Sequence, residues 1–157
     1  MKHLLLYENF NNNDIVLYHG SPIKHDFDGH GTIYYGTFFS KSKNEANTFG
    51  KHLYEVKLNN GLKILDTNKL DDVKLIFNNF DELYDTYYNE DSDDYIISKP
   101  EQIFGVSDNW EPIENTDGVL EWIMGNYDGI WINEGGVTNL LLFKPVKEKL
   151  NYIKEIK

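Results

Sequence analysis

Three short segments hold the side chains best suited to chemistry. In Leu17-Tyr18-His19-Gly20-Ser21-Pro22 a histidine closes an apolar run and is followed by glycine. Imidazole offers one directional donor and one acceptor, and glycine lets a ligand approach the backbone with no Cβ in the way. The same residues also suit a buried histidine ahead of a tight turn. Phe39 and Phe49 offer flat faces on which a planar ring could stack, or else two ordinary core residues. Ser40 is a hydroxyl beside the first of them, or a turn or cap residue. Glu134 is the only carboxylate from Ile130 to Pro145. In a water-poor site such an anion stabilises developing positive charge by several kcal/mol; in solvent it is an ordinary turn residue.

These side chains need elements to hold them. Ile15 to His19 reads as a strand stopped by Gly20-Ser21-Pro22. Residues 25–31 read as a polar loop, and Thr32 to Ser40 as a strand or strand pair broken at Gly36. Ser42 fits a helix N-cap with Glu45 as its capping-box partner; that helix would carry Ala46 and Phe49 inward and stop at Gly50. His52 to Leu58 alternates as a strand does, Asn59-Asn60-Gly61 is a turn, and Leu62 to Leu65 a further strand. Leu70, Val73, Ile76, Phe77, Phe80, Leu83, Tyr84 and Tyr87 recur at helical spacing. Residues 98–116 read as loop-rich, with Pro100 and Pro112 as breakers, and Thr116 as the cap of a helix from Asp117 to Met124. Ile130 to Ile132 and Val137 to Phe143 read as strands joined through a turn at Glu134-Gly135-Gly136, ended by Pro145. In the tail, Val146, Leu150 and Ile153 fall at helical spacing. Residues 1–13 form a short leader ending in Asn11-Asn12-Asn13. Short strands with a few helices between them predict an α+β domain with a mainly antiparallel sheet. The absence of a βαβ rhythm disfavours a dinucleotide fold of the doubly wound kind.

Taken in order, His19-Gly20-Ser21-Pro22, then Phe38-Phe39-Ser40 with Ala46 and Phe49-Gly50, then Tyr127-Asp128-Gly129-Ile130 with Phe143-Lys144-Pro145, resemble the ADP-ribosyltransferase superfamily. The resemblance spans residues 14–66 and 117–146 and is closest to small phage-encoded members such as the anti-CRISPR ADP-ribosyltransferase type. It implies a single domain over residues 1–157, a split antiparallel β-sandwich with short flanking helices, and an acidic, partly helical insertion at about 66–117. It also implies NAD as the cofactor. His19 would hold a ribose, and Gly20 and Ser21 the nicotinamide amide. Phe39, Ser40 and Phe49 would enclose the nicotinamide, and Glu134 would stabilise the cation formed as the glycosidic bond breaks.

This sequence departs from the family pattern in places. Phe39 stands where Tyr is usual, which keeps the stacking face and loses the hydroxyl. Many relatives place the catalytic Glu near the position of Thr138-Asn139; in the phage-encoded type it lies earlier, as Glu134 does. Ile132 precedes Glu134 by two residues, so the Glu-x-Glu or Gln-x-Glu pattern of toxins that modify Arg or Gln is absent. The chain has 15 Lys and no Arg, so Lys24, Lys41, Lys51 or backbone N–H groups would have to meet the pyrophosphate. The resemblance implies a mono-ADP-ribosyltransferase acting on a macromolecule, a host or defence protein. NAD glycohydrolase activity and a non-catalytic acidic inhibitor are the competing expectations.

Composition bounds these expectations. Among 157 residues there is no Cys, which removes disulfides, thiolate–metal sites and thiol nucleophiles. A net charge of −11 disfavours direct nucleic-acid binding. The acidity is local: residues 66–117 carry 15 Asp and Glu against 3 Lys, which suits a solvated face or a basic protein partner. His25 and His30 with Asp26 and Asp28 lack metal-site spacing, so no metal is expected. Ser21 lacks the G-x-S-x-G setting of a hydrolase nucleophile. No signal peptide or membrane span is expected, which places the protein in the cytoplasm, that of the host if phage-encoded.

Overall fold

Alternation decides which side of the sheet each residue faces. In β3 (His52–Leu58), Tyr54, Val56 and Leu58 are buried while Glu55 and Lys57 are not. In β6 (Val137–Phe143), Leu140 and Leu142 turn to one core while Leu141 and Phe143 turn to the other. The computed structural model describes residues 15–29, 35–80, 83 and 110–157. The leader 1–13, His30, Thr32 to Tyr34, the continuation of the helical pattern at Tyr84 and Tyr87, and most of 98–116 lie outside the described residues.

The remaining strands are β1 (Val16–Ser21), β2 (Gly36–Ser40), β4 (Ile64–Asp66), β5 (Gly129–Glu134) and β7 (Leu150–Glu155). They form a seven-stranded sheet in the order β4-β5-β6-β2-β1-β3-β7. Every neighbouring pair is antiparallel except β4 and β5, which run parallel with Leu65 opposite Ile130. The architecture is therefore α+β with a mixed sheet. A parallel pair needs a long crossover, and residues 67–128 supply it.

That crossover carries α2 (Leu70–Asn79), α3 (Trp110–Asn115) and α4 (Val119–Asn126). Val73, Ile76 and Phe77 from α2, Ile113 from α3 and Ile123 from α4 bury themselves against Ile130, Ile132, Leu141 and Phe143. Each such side chain contributes about 1.5–3 kcal/mol by leaving water. The described parts of the acidic segment thus also cover one face of the sheet. The opposite face packs Leu17, Phe39, Tyr54, Val56, Leu140 and Leu142 under Phe27 and Val146. Asp28 fastens this cover, its carboxylate accepting the backbone N–H groups of Val146 and Lys147.

Several local expectations change. Val146, Leu150 and Ile153 do not lie on a helix: Leu150–Glu155 is strand β7, paired along β3 with Val56 opposite Ile153. The free edge of β3 offers a row of hydrogen bonds that outweighs a short helical pattern. Trp110–Asn115 is helical although it contains Pro112. Pro112 lies in the first turn, where its missing N–H has no helical partner to lose. The next helix starts at Val119 behind Gly118 rather than at Asp117 behind Thr116. Glu134 is the last residue of β5, opposite Val137, and the turn proper is Gly135-Gly136. Both glycines have positive φ, 57° and 82°, as a two-residue hairpin of the primed type requires.

Candidate functional site

The sheet is least joined between β1 and β2, where the register consists of Tyr18 opposite Ser40. Beyond that point the strands part, and a cavity of about 220 Å³ occupies the gap. His19 and Gly20 on β1, Phe39 and Ser40 on β2, Ala46 and Phe49 beside them, and Glu134 and Asn139 on β5 and β6 line it. The volume is below the ~300–1,000 Å³ of pockets that enclose a drug-sized molecule; it suits one ring or one sugar of a larger ligand.

His19 spans the opening. Its Nδ1 lies 2.8 Å from the Phe38 carbonyl oxygen. A carbonyl only accepts, so Nδ1 carries the proton and Nε2 is left as an acceptor. Nε2 is buried and has no partner. Burial lowers the His19 pKa to about 4, with the neighbouring His25 adding to the effect and the Phe38 bond opposing it. The ring is therefore neutral at pH 7. It packs against His25, centroid to centroid 4.3 Å. His25 is fixed in turn: its Nδ1 accepts the Phe27 N–H at 3.0 Å, and its own backbone N–H donates to the Tyr54 hydroxyl at 2.9 Å. Phe27 holds a left-handed φ of 71°, unusual for a bulky residue, with its ring stacked on Phe39 at 5.9 Å.

Gly20 lines the cavity and is also required by packing. A Cβ there would fall 1.7 Å from the Ala46 carbonyl oxygen, so the close approach is to helix α1 (Lys43–Ala46). Ser21 is buried but does not line the cavity; its hydroxyl accepts the Ile23 N–H and shapes the turn after β1.

Ser40 connects the cavity wall to α1. Its hydroxyl donates to Glu45 Oε2 at 3.0 Å and accepts the Ser42 N–H at 3.0 Å. Ser42 caps the helix by accepting the Glu45 N–H at 3.2 Å. The return half of the capping box, from the Glu45 carboxylate to the Ser42 backbone, is thus relayed through Ser40.

The two phenylalanines are not equivalent. Phe39 is 1% exposed, with Phe27 on one face, whereas Phe49, in the 3-10 turn Asn47–Phe49, is 60% exposed. Ala46 turns inward as its spacing predicts; Phe49 does not, because the tightened last turn swings it to the cavity rim. Glu134 is also exposed at the rim. Its charge reaches Tyr35, whose hydroxyl donates to Glu114 at 2.8 Å and whose pKa is pushed up to about 12, by burial first and then by Glu114 and Glu134.

The structure therefore gathers His19, Gly20, Phe39, Ser40, Phe49 and Glu134 around one cavity and leaves Ser21 outside it. His25 and Asn139 also line the cavity. His25 falls in the polar loop expected at 25–31, and Asn139 near the position where many relatives place Glu; neither has a spacing signal that marks it as a cavity residue. Among the described residues, no group of three or more His, Asp or Glu is placed to hold a metal. Among them, too, no helix is long and apolar enough to cross a membrane.

No protein-family model matches the chain, and no curated protein matches it in sequence. In fold it is similar to a solved structure described as the crystal structure of an anti-CRISPR protein, with a TM-score of 0.50 and 13% identity. The match covers 93% of this chain and 99% of that one, so it extends over nearly the whole architecture.

Proposed function

We propose that the protein is an NAD-dependent mono-ADP-ribosyltransferase of the phage anti-defence type, working in the cytoplasm of an infected host. The observation that carries this reading is the convergence of His19 and Gly20 from β1, Phe39 and Ser40 from β2, and Glu134 from β5 on one cavity. In this reading the halves β4-β5-β6-β2 and β1-β3-β7 are those of a split ADP-ribosyltransferase-like sandwich, and the opening between β1 and β2 is its cleft. The fold it shares with an anti-CRISPR protein supports the anti-defence setting.

The residues present suit NAD. The unpartnered Nε2 of His19 needs a hydrogen-bond donor, and a ribose hydroxyl is one. Phe49 offers an open ring face at the rim. NAD supplies the ADP-ribosyl group and nicotinamide as its leaving group. Glu134, an anion at the mouth, stabilises positive charge developing on the sugar. The neutral state of His19 keeps a second cation away from that charge.

The acceptor in this reading is a basic protein drawn to the acidic 66–117 segment. The test is labelled NAD offered together with host lysate. Transfer of label to protein supports the transferase reading; label recovered only as free ADP-ribose makes the protein an NAD glycohydrolase. Absence of NAD binding favours a non-catalytic inhibitor over both enzymes.

A further inference from the structure

Among the described residues, two buried side-chain polar atoms have no hydrogen-bond partner: His19 Nε2 and Asn139 Oδ1. Both belong to residues that line the same cavity, although they come from β1 and β6. Both are acceptors. Buried acceptors are nearly always paired, so two orphans around one void call for an occupant that supplies the missing donors.

The charges around the void narrow the occupant further. None of the described lining residues is Lys, and the one charged lining residue is Glu134. An anion placed here would meet two lone pairs and a carboxylate, with no lysine among the described lining residues beside it. Any phosphates of a nucleotide ligand must therefore lie outside the cavity.

We infer that the cavity selects an uncharged primary carboxamide, whose NH2 group carries two hydrogen-bond donors, and that Asn139 is the residue that reads one of those donors. The inference rests on the NAD reading only for its choice of probe. Asn139 lies opposite Ser40 on β2 and Ile132 on β5. It is thus held on the inside of the sheet by a strand on each side, and its side chain can discriminate without moving the backbone.

The probes are nicotinamide and nicotinate, which share a ring and differ in a carboxamide against a carboxylate. Binding is followed by NMR, reading the His19 Nε2 resonance in the folded protein and in the variants Asn139→Leu and Asn139→Asp. We expect nicotinamide to bind about tenfold or more tightly than nicotinate and to shift the Nε2 resonance. Asn139→Leu, which removes the acceptor, loses a similar factor. Asn139→Asp, which keeps an acceptor and adds charge, retains nicotinamide and rejects nicotinate further. Thermal melts run beside the titrations confirm that the variants remain folded.

Equal binding of both probes overturns the inference. So does no shift with either probe, or unchanged nicotinamide affinity in folded Asn139→Leu, which would leave ordered water as the partner of the two acceptors. Loss of nicotinamide by Asn139→Asp as severe as by Asn139→Leu overturns it as well, because the group read would then be the Asn139 NH2 and not its oxygen. An NAD titration separates this inference from the function above. Nicotinamide bound without NAD sinks the transferase reading alone; NAD turned over with Asn139→Leu at full affinity sinks this one alone.

Discussion

His19 on β1 donates its Nδ1 proton to the Phe38 carbonyl on β2 at 2.8 Å, across the place where the two strands part. A side chain stands in there for a ladder hydrogen bond. The same bond fixes the tautomer, so one contact both closes the sheet and turns an acceptor toward the cavity.

Its pH consequence has a definite sign. The His19 pKa falls from 6.5 to about 4 in the folded protein. Between those values the unfolded chain binds more protons, so stability is full above pH 6.5 and declines as pH falls toward 4. The loss attributable to His19 is about 3 kcal/mol at most. Urea melts across this window should show a shallower decline for His19→Gln than for the wild type. Parallel declines would mean that His19 is not the titrating group.

The glycines separate two kinds of necessity. Gly20→Ala drives a Cβ into the Ala46 carbonyl oxygen and should cost about 1–3 kcal/mol by displacing α1. Gly135→Ala meets no atom within 4 Å but must keep a φ of 57°, a cost of about 1–2 kcal/mol. Gly135→Asn should recover much of that loss. No asparagine at position 20 should recover anything, and melting temperatures report both.

Phe39 and Phe49 should divide stability from binding. Phe39→Ala empties a core position and should cost about 3–5 kcal/mol. Phe49→Ala, at a residue 60% exposed, should stay within about 0.5 kcal/mol of wild type while weakening NAD binding. Chemical denaturation and NAD titration of the same two proteins check this. Unchanged NAD affinity in Phe49→Ala would remove it from the site.

If the acidic segment recruits a basic acceptor, protein modification should fall steeply with added salt while nicotinamide release in the absence of acceptor changes little. A parallel fall of both rates would place the salt effect at the NAD site instead.

Much of the scaffold was legible because one period dominated each segment. His52–Leu58 alternates cleanly and is β3; Leu70, Val73, Ile76 and Phe77 keep helical spacing and fall within α2. The Ser42 cap was legible from its hydroxyl and from Glu45, but the relay through Ser40 was not, since it depends on how β2 enters the helix. The β7 tail misled because its residues stay largely exposed on both sides, leaving no alternation to read, while its pairing partner lies about a hundred residues away along the chain. The cavity residues could be named from a family pattern, yet their unequal roles could not. Whether Phe39 or Phe49 keeps an open face depends on Phe27 and on a tightened helix end. That Asn139 is an orphan acceptor depends on what its neighbours fail to offer.

If this cavity binds NAD and Glu134 is its working anion, binding and turnover should separate when that charge is removed. The most direct measurement is nicotinamide release from NAD by the wild type and by Glu134→Gln, with NAD binding measured on both. Glu134 is an exposed strand-end residue, so the substitution should leave folding intact. Both proteins should bind NAD, and Glu134→Gln should release nicotinamide about a hundredfold or more slowly than the wild type. Failure of the wild type to bind NAD, or full turnover by Glu134→Gln, would contradict this assignment.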